Sequence, residues 1–298
     1  MDEWKVGDPA DWGDSVGVPD IPYMGYMDDD EDNDDFRKGS RKSRAERLCD
    51  EAWDLWQKGQ YRDALESINA AIHDNNQNPE FYNVRAIIRQ DLHQYEDSLN
   101  DYNKSLRMQG SQVVRNNKAH LLYLMSNEEK LFTGNFERGL ELINDALKLT
   151  DDDFDRKTFL RRKGEFLDKL GRKLDSAICF LLASESYDLI DEVERQTKIL
   201  KDSNETFICI AGTEFFKKDK PLSEGMVVSL VRESDNEHDP DAILVRHEGK
   251  PVGYVANSSY TLIDEAKSAS EIKDTIKDCQ KAKILFTYLA EYIVAKLI

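Results

Sequence analysis

Residues 59–72 read GQYRDALESINAAI, residues 93–106 read HQYEDSLNDYNKSL, and residues 134–147 read GNFERGLELINDAL. Tyr61, Ala64, Ile68 and Ala71 of the first line recur 34 residues later as Tyr95, Ser98, Tyr102 and Ser105. Phe136, Gly139, Ile143 and Ala146 repeat the order, and Gly171, Ser176, Phe180 and Ala183 give a fourth copy. A fixed period of this length marks stacked supersecondary units, each too small to bury its own apolar face. The steps are 41 residues from Tyr95 to Phe136 and 37 from Gly134 to Gly171, so the middle units are longer.

Small residues at matched places (Ala52, Ala64, Ala86, Gly139, Gly164, Ala183) allow helices to approach, while aromatic and branched side chains fill between them. Gly59, Gly134 and Gly171 read as left-handed caps ending the first helix of a hairpin, and Pro79 as a helix start. The spacing predicts helices over 45–58, 61–75, 79–92, 95–108, 112–133, 136–149, 154–170 and 173–201. The lines resemble tetratricopeptide repeats, which implies an all-α superhelix over 45–204 whose first helices line a peptide-binding face. Carried over by position, that face presents Trp53, Trp56, Asn83, Ile87, Arg161, Arg162 and Lys169. Aromatics at one end and cations at the other suit an extended acidic peptide.

Charge divides the rest of the chain. Residues 1–36 hold thirteen acids against one lysine, a net −12 of the chain's −18, and Arg37–Arg44 brings five basic residues. A stretch so acidic, with Gly and Pro throughout, is expected to be a disordered tail over 1–44. Its Trp4, Trp12, Tyr23, Met24 and Tyr26 leave two readings open, a solvating tail or a segment that docks on a partner or on a groove of its own chain. Neither 45–204, at −7, nor 205–298, at −4, is basic overall. This weighs against salt-sensitive binding along nucleic-acid backbones.

After Asn204 the period changes. TFICIAG, GMVVSLVR, DAILVRH and KPVGYVA are short β-branched runs bounded by Gly, Pro and Asp, hence strands, with His247–Lys250 as a hairpin turn. Residues 258–278 read as helix, and KAKILFTYL with YIVAKLI as a closing strand pair, so 205–298 should be a small barrel with inserted helices. Gly212-Thr-Glu-Phe-Phe216, Leu230-Val-Arg-Glu-Ser-Asp-Asn-Glu-His-Asp-Pro-Asp-Ala-Ile243 and Val252-Gly-Tyr-Val255 resemble the HIRAN domain. The fold implied is therefore multidomain: a helical superhelix followed by a small β-rich barrel.

That resemblance implies recognition of a single-stranded DNA end by Phe215, Phe216, Arg232, Asn236, His238, Asp239 and Tyr254, with aromatics stacking on bases and Asp239 accepting from a terminal hydroxyl. Glu214, Glu233, Asp235, Glu237 and Asp241 crowd the same region with acids. The alternative is a protein-only scaffold in which this fold is structural or holds a peptide.

Chemistry is not indicated. The chain has no phosphate-binding GxxxxGK[ST] loop, and its five histidines fall singly on different elements. Cys49, Cys179, Cys209 and Cys279 are scattered without a CxxC, so no metal site is expected and buried thiols are. No cofactor is implied. The first residues lack a basic-then-apolar leader, and the apolar run at 284–298 is interrupted by Glu291 and Lys296. The sequence reads as a non-catalytic cytoplasmic adaptor with a protein or peptide partner and no membrane association.

Overall fold

A computed structural model describes residues 42–216, 221–276 and 280–298. Of the tail expected over 1–44, residues 1–41 lie outside the described residues, as do Lys217, Lys218, Lys220 and Cys279, whereas Ser43 and Arg44 already cap and begin the first helix. The helices are α1 (Arg44–Gln57), α2 (Tyr61–Asp74), α3 (Pro79–Asp91), α4 (Tyr95–Met108), α5 (Gln112–Glu128), α6 (Phe136–Leu149), α7 (Asp153–Lys169), α8 (Lys173–Ala183) and α9 (Tyr187–Asp202). Strands β1 (Phe207–Ala211), β2 (Val227–Arg232), β3 (Ile243–His247), β4 (Lys250–Val255), β5 (Gln280–Tyr288) and β6 (Tyr292–Leu297) follow, with a short helix α10 (Ala269–Ile272).

The helices begin where the local chemistry starts them. Ser43 and Glu46 form a reciprocal capping box on α1, Asn78 caps α3 ahead of Pro79, and Asn135 and Asp152 cap α6 and α7. Gly59, Gly134 and Gly171 turn left-handed at the end of the first helix of their hairpins. The second hairpin places His93 at the same position with φ 57°, and its ring Nδ1 meets the Tyr95 hydroxyl at 2.8 Å.

The hairpins are held by the predicted small-to-large packing. Ala52, Ala64, Ile68, Ala71, Phe81 and Ile88 share one core, and Ala119, Ile143, Ala146, Phe159 and Phe166 share another. Full burial of each large apolar side chain contributes about 1.5–3 kcal/mol. The extra residues of the third hairpin extend its first helix as a π-turn, Glu129–Thr133, which leaves Leu131 and Phe132 on the surface.

Two stretches depart from expectation. The helix predicted over 173–201 is broken: Ser184 and Ser186 flank Glu185 in the left-handed region at φ 57°, ending α8 and starting α9. The chain divides into two compact units at this turn, between Glu185 and Ser186, so α9 groups with the barrel. Thr197 of α9 meets the Tyr288 hydroxyl of β5 at 2.7 Å.

The second departure is 258–278, where only Ala269–Ile272 is helical among the described residues. Its backbone is spent on the sheet instead. Ala256 N–H donates to the Cys209 carbonyl, Lys267 N–H to that of Phe207, and Phe207 bridges Ala266.

The six strands close antiparallel in the order β1-β4-β3-β2-β5-β6, with β6 returning to β1. Alternate residues fill the interior: Ile208 and Ile210, Val228 and Leu230, Ile243 and Val245, with Val252, Ile284 and Ala295. Glu248 and Gly249 are both at positive φ, the two-residue turn that suits the twist of a hairpin. Among the described residues no helix is long and apolar enough to cross a membrane.

Candidate functional site

In the barrel, the loop between β2 and β3 is organised by its own polar side chains. Asn236 Oδ1 accepts from the backbone N–H groups of His238 at 3.0 Å and Asp239 at 3.1 Å. Asp239 Oδ1 accepts from the Asp241 N–H at 2.8 Å. The loop is a double Asx turn, the geometry such residues adopt beside a proline. These bonds within the loop fix its shape.

A line of contacts runs from that loop to the aromatics after β1. Asn236 Nδ2 donates to Glu233 at 3.1 Å, the Tyr254 hydroxyl donates to the same Glu233 oxygen at 3.2 Å, and the Tyr254 ring lies 5.8 Å from that of Phe216. Burial, and after it the Glu233 charge, pushes the Tyr254 phenol above its usual range. Phe215 stands 83% exposed on the 3-10 turn opened by Gly212. Gly253 permits this arrangement, because a Cβ there would come within 2.9 Å of the Ala211 carbonyl.

The structure thus brings Phe216, Tyr254, Asn236, His238 and Asp239 into one connected patch, with Phe215 adjoining. Arg232 sits at the loop's base, half exposed, 3.4 Å from Asp274. Glu214, Asp235, Glu237 and His238 are exposed.

Sequence reading missed the brace behind the loop. Asn257 donates to Asp239 Oδ2 at 2.9 Å, Ser270 donates to Asp241 at 2.7 Å, and Lys273 reaches the other Asp241 oxygen at 2.6 Å. The hydrogen bond from Lys273, then that from Ser270, holds the Asp241 carboxyl below the usual carboxylate range. These partners come from 18 to 32 residues away and are joined only by the barrel topology.

In the helical unit, the first helices of successive hairpins are linked side chain to side chain. Trp56 Nε1 on α1 donates to Asp91 of α3. Asn117 on α5 donates to Asn83 Oδ1 of α3 at 3.2 Å. Arg162 on α7 meets the Tyr123 hydroxyl of α5 at 3.4 Å, and Lys130 pairs with Glu165 at 2.9 Å. Burial pushes the Asp91 carboxyl up, against the Trp56 bond that lowers it.

Of the residues carried over for the peptide face, Trp53 and Trp56 pack edge to face at 5.2 Å and are half-buried. Arg161 and Lys169 reach solvent without a partner among the described residues, and Arg162 is tied to Glu165 at 2.6 Å. Ile87 is a correction: it is 1% exposed and packs with Tyr102, Val114 and Leu121 in the core, because the inner side of α3 is covered by α4 and α5. Asn83 is likewise buried, its amide spent on Glu80 and its carbonyl on Asn117.

The same row holds unpaired polar atoms, and of the residues that carry them only Arg162 was among those expected on the face. Gln90 Oε1, Asn117 Oδ1, both ring nitrogens of His120, Thr158 Oγ1 and Arg162 Nε are buried without a hydrogen-bond partner among the described residues. Burial alone lowers the His120 imidazole below its ordinary range, so it is neutral near pH 7. Asn117 was findable in the sequence: it lies one 34-residue period after Asn83.

Cys49, Cys179 and Cys209 are buried free thiols, with burial pushing Cys49 up to about 12 and Cys209 up to about 11. Among the described residues no group of three His, Cys, Asp or Glu side chains could hold a metal ion.

Three solved structures similar to the chain are helical repeat proteins. MamA is 13% identical, covering 50% of this chain and 81% of its own, with a TM-score of 0.37. TTC0263, a thermophilic TPR protein in Thermus thermophilus, is 15% identical over 53% of this chain and 85% of its own, with a TM-score of 0.32. A tetratricopeptide repeat protein from Parabacteroides merdae is 16% identical over 54% of this chain and 68% of its own, with a TM-score of 0.33. No curated protein matches the chain. The family model that matches is the HIRAN domain, over residues 203–296, the stretch that holds the barrel and the braced Asx loop. The chain therefore carries a HIRAN domain at its C-terminal side, preceded by tetratricopeptide-like helical hairpins.

Proposed function

We propose that the protein is a non-catalytic adaptor whose helical unit takes an extended acidic polypeptide and whose HIRAN domain engages the 3′ end of single-stranded nucleic acid. The observation that supports the second part best is the exposed Phe215 beside Phe216 and Tyr254, connected through Glu233 and Asn236 to Asp239. Aromatic faces stack on any base, and Asp239 retains acceptor capacity beyond its bonds to Asp241 and Asn257.

The test is fluorescence polarisation of a short labelled single strand titrated with the full chain. Phe215→Ala removes a side chain that is almost wholly in solvent, so folding is spared. Loss of one stacked base costs about 1–3 kcal/mol, a weakening of roughly 5- to 150-fold. Asp239→Ala weakens binding further, and a strand blocked at its 3′ hydroxyl binds less tightly than a free one. Equal affinity for blocked and free strands rejects end recognition.

A second reading is favoured by the exposed acids Glu214, Asp235 and Glu237 around the same patch. In it, the domain is a protein-binding scaffold. Salt separates the two, since nucleic-acid affinity falls steeply between low and physiological salt in proportion to the phosphates neutralised. Absence of strand binding even at low salt favours the scaffold.

A further inference from the structure

We propose that the outer wall of the barrel over β3, β2, β5 and β6 carries the phosphate backbone of a single strand onward from the aromatic patch. This rests on the reading of the HIRAN domain as a nucleic-acid module and assigns it a second, backbone-binding surface.

The wall follows from the pairing register. Ser229 of β2 lies opposite Arg246 of β3 on one side and Lys281 of β5 on the other. Val228, Leu230, Val245, Ala282 and Ile284 fill the interior, so alternation turns Ser229, Arg246, Lys281 and Lys283 outward. In the next row Val227 lies opposite Lys283, and Lys283 opposite Lys296 of β6. Four cations thus stand on two adjoining rows that Ser229 and Val227 complete, and neither row holds an acid. Arg246, Lys281 and Lys283 are exposed and have no ion-pair partner among the described residues. Lys296 is half-buried and pairs with Glu205 at 2.7 Å, and Glu248 sits beyond the wall in the β3–β4 turn.

Residues 205–298 sum to −4, so these cations are segregated on one surface of an acidic domain. Lys283 and Lys296 are direct cross-strand partners, and like charges so placed destabilise a sheet. An anion lying over the pair offsets that repulsion.

The same outer surface continues to the patch. Tyr254 of β4 lies opposite Leu244 of β3, and Leu244 opposite Val231 of β2, a row two residues along from Arg246 and Ser229. The diagonal step from Tyr254 to Arg246 is about 7–8 Å. Two strand spacings to Lys281 add about 10 Å, and two residues along β5 to Lys283 about 7 Å, a path of roughly 25 Å. Steps of this size suit the phosphates of an extended single strand, which small barrels engage over about 4–16 nucleotides. The exposed acids Glu214, Asp235 and Glu237 repel phosphate at the patch, and the wall supplies the counter-charge that the patch lacks. An acidic polypeptide would meet the cations without using the aromatic faces at the other end of the path.

The test is fluorescence polarisation of the full chain with a 5′-fluorescein oligothymidylate of about 12 nucleotides, within the site size of such barrels. The triple variant Arg246→Ala, Lys281→Ala, Lys283→Ala weakens binding by about 10-fold or more at low salt. It also lowers the slope of log affinity against log salt by about 2, and each single variant lowers it by about 0.7. Lys281→Arg with Lys283→Arg retains both affinity and slope. Strand binding with unchanged affinity and slope in the triple variant overturns the wall and leaves end recognition standing. If the triple variant loses binding while a 3′-blocked strand binds the parent chain as well as a free one, the wall stands and end recognition falls. Oligoglutamate that displaces the strand as effectively as unlabelled oligothymidylate assigns the wall to acidic polypeptides and overturns the proposal. No binding by the parent chain at low salt rejects both readings.

Discussion

Gly139→Ala should destabilise the helical unit although alanine is the better helix former. Gly139 lies inside α6, where replacing glycine by alanine ordinarily stabilises by roughly 0.5–1 kcal/mol. A Cβ at this position would lie 2.6 Å from Phe166 Cζ and 2.8 Å from Cε1, well inside any real contact. Phe166 is 1% exposed, packed with Ile143, Leu167 and Phe159, and has nowhere to turn. Overpacking of this kind costs about 1–3 kcal/mol, so the net effect is a loss of up to about 2 kcal/mol. Urea unfolding followed by helical circular dichroism measures it. The double variant with Phe166→Leu relieves the clash, so its loss should be smaller than the sum of the two single losses by about 1 kcal/mol or more. A stabilised Gly139→Ala protein, or strict additivity, would refute the reasoning.

Asp101→Asn should cost about 3 kcal/mol, because Asp101 is buried between Arg85 at 2.7 Å and Arg89 at 2.5 Å and the change removes the shared counter-charge of two largely buried guanidinium groups; chemical denaturation reads it. His120 is held below the ordinary histidine range by burial, so the unfolded chain binds its proton more readily than the folded one. Stability therefore falls as pH drops below the unfolded value of about 6.5, and levels off below the lowered folded value. The difference in melting temperature between pH 7.5 and 5.5 should shrink in His120→Leu. Lys273→Ala removes the cation from Asp241 and should speed hydrogen exchange of the 233–242 amides while leaving the barrel strands protected. Exchange unchanged in that loop would show that Ser270 and Asn257 suffice.

The hairpins were legible because a period repeats a constraint: each Ala or Gly at the contact and each aromatic between helices is written several times. Breaks that use no special residue were not legible. Nothing in Ser184-Glu185-Ser186 signals a turn, since Glu185 takes a left-handed backbone that glycine would have advertised. Residues 258–276 have helix-forming composition, yet tertiary hydrogen bonds to the outer edge of β1 outweigh it. The Asx loop could be read locally, because Asn236 and Asp239 bond within three residues. Asn257, Ser270 and Lys273 could not, since no local pattern says which distant segment the barrel folds against the loop. Ile87 was misplaced for a related reason: the period fixes its position along the helix but not which neighbour covers it.

Closure of the barrel has one more consequence. Phe207, at the start of β1, pairs with Lys296, near the end of β6, so the chain comes in and goes out one strand spacing apart, about 4.8 Å. A module with adjoining ends can be spliced into a loop of another protein without prising the host apart. The β1–β4 seam is the short one, paired only at Ile210–Val255 and Ala211–Tyr254, against four pairs between β1 and β6. Phe215 and the Asx loop lie on the two segments that leave that seam and its neighbour, after β1 and between β2 and β3, so they are held by the closed sheet and not by the chain ends.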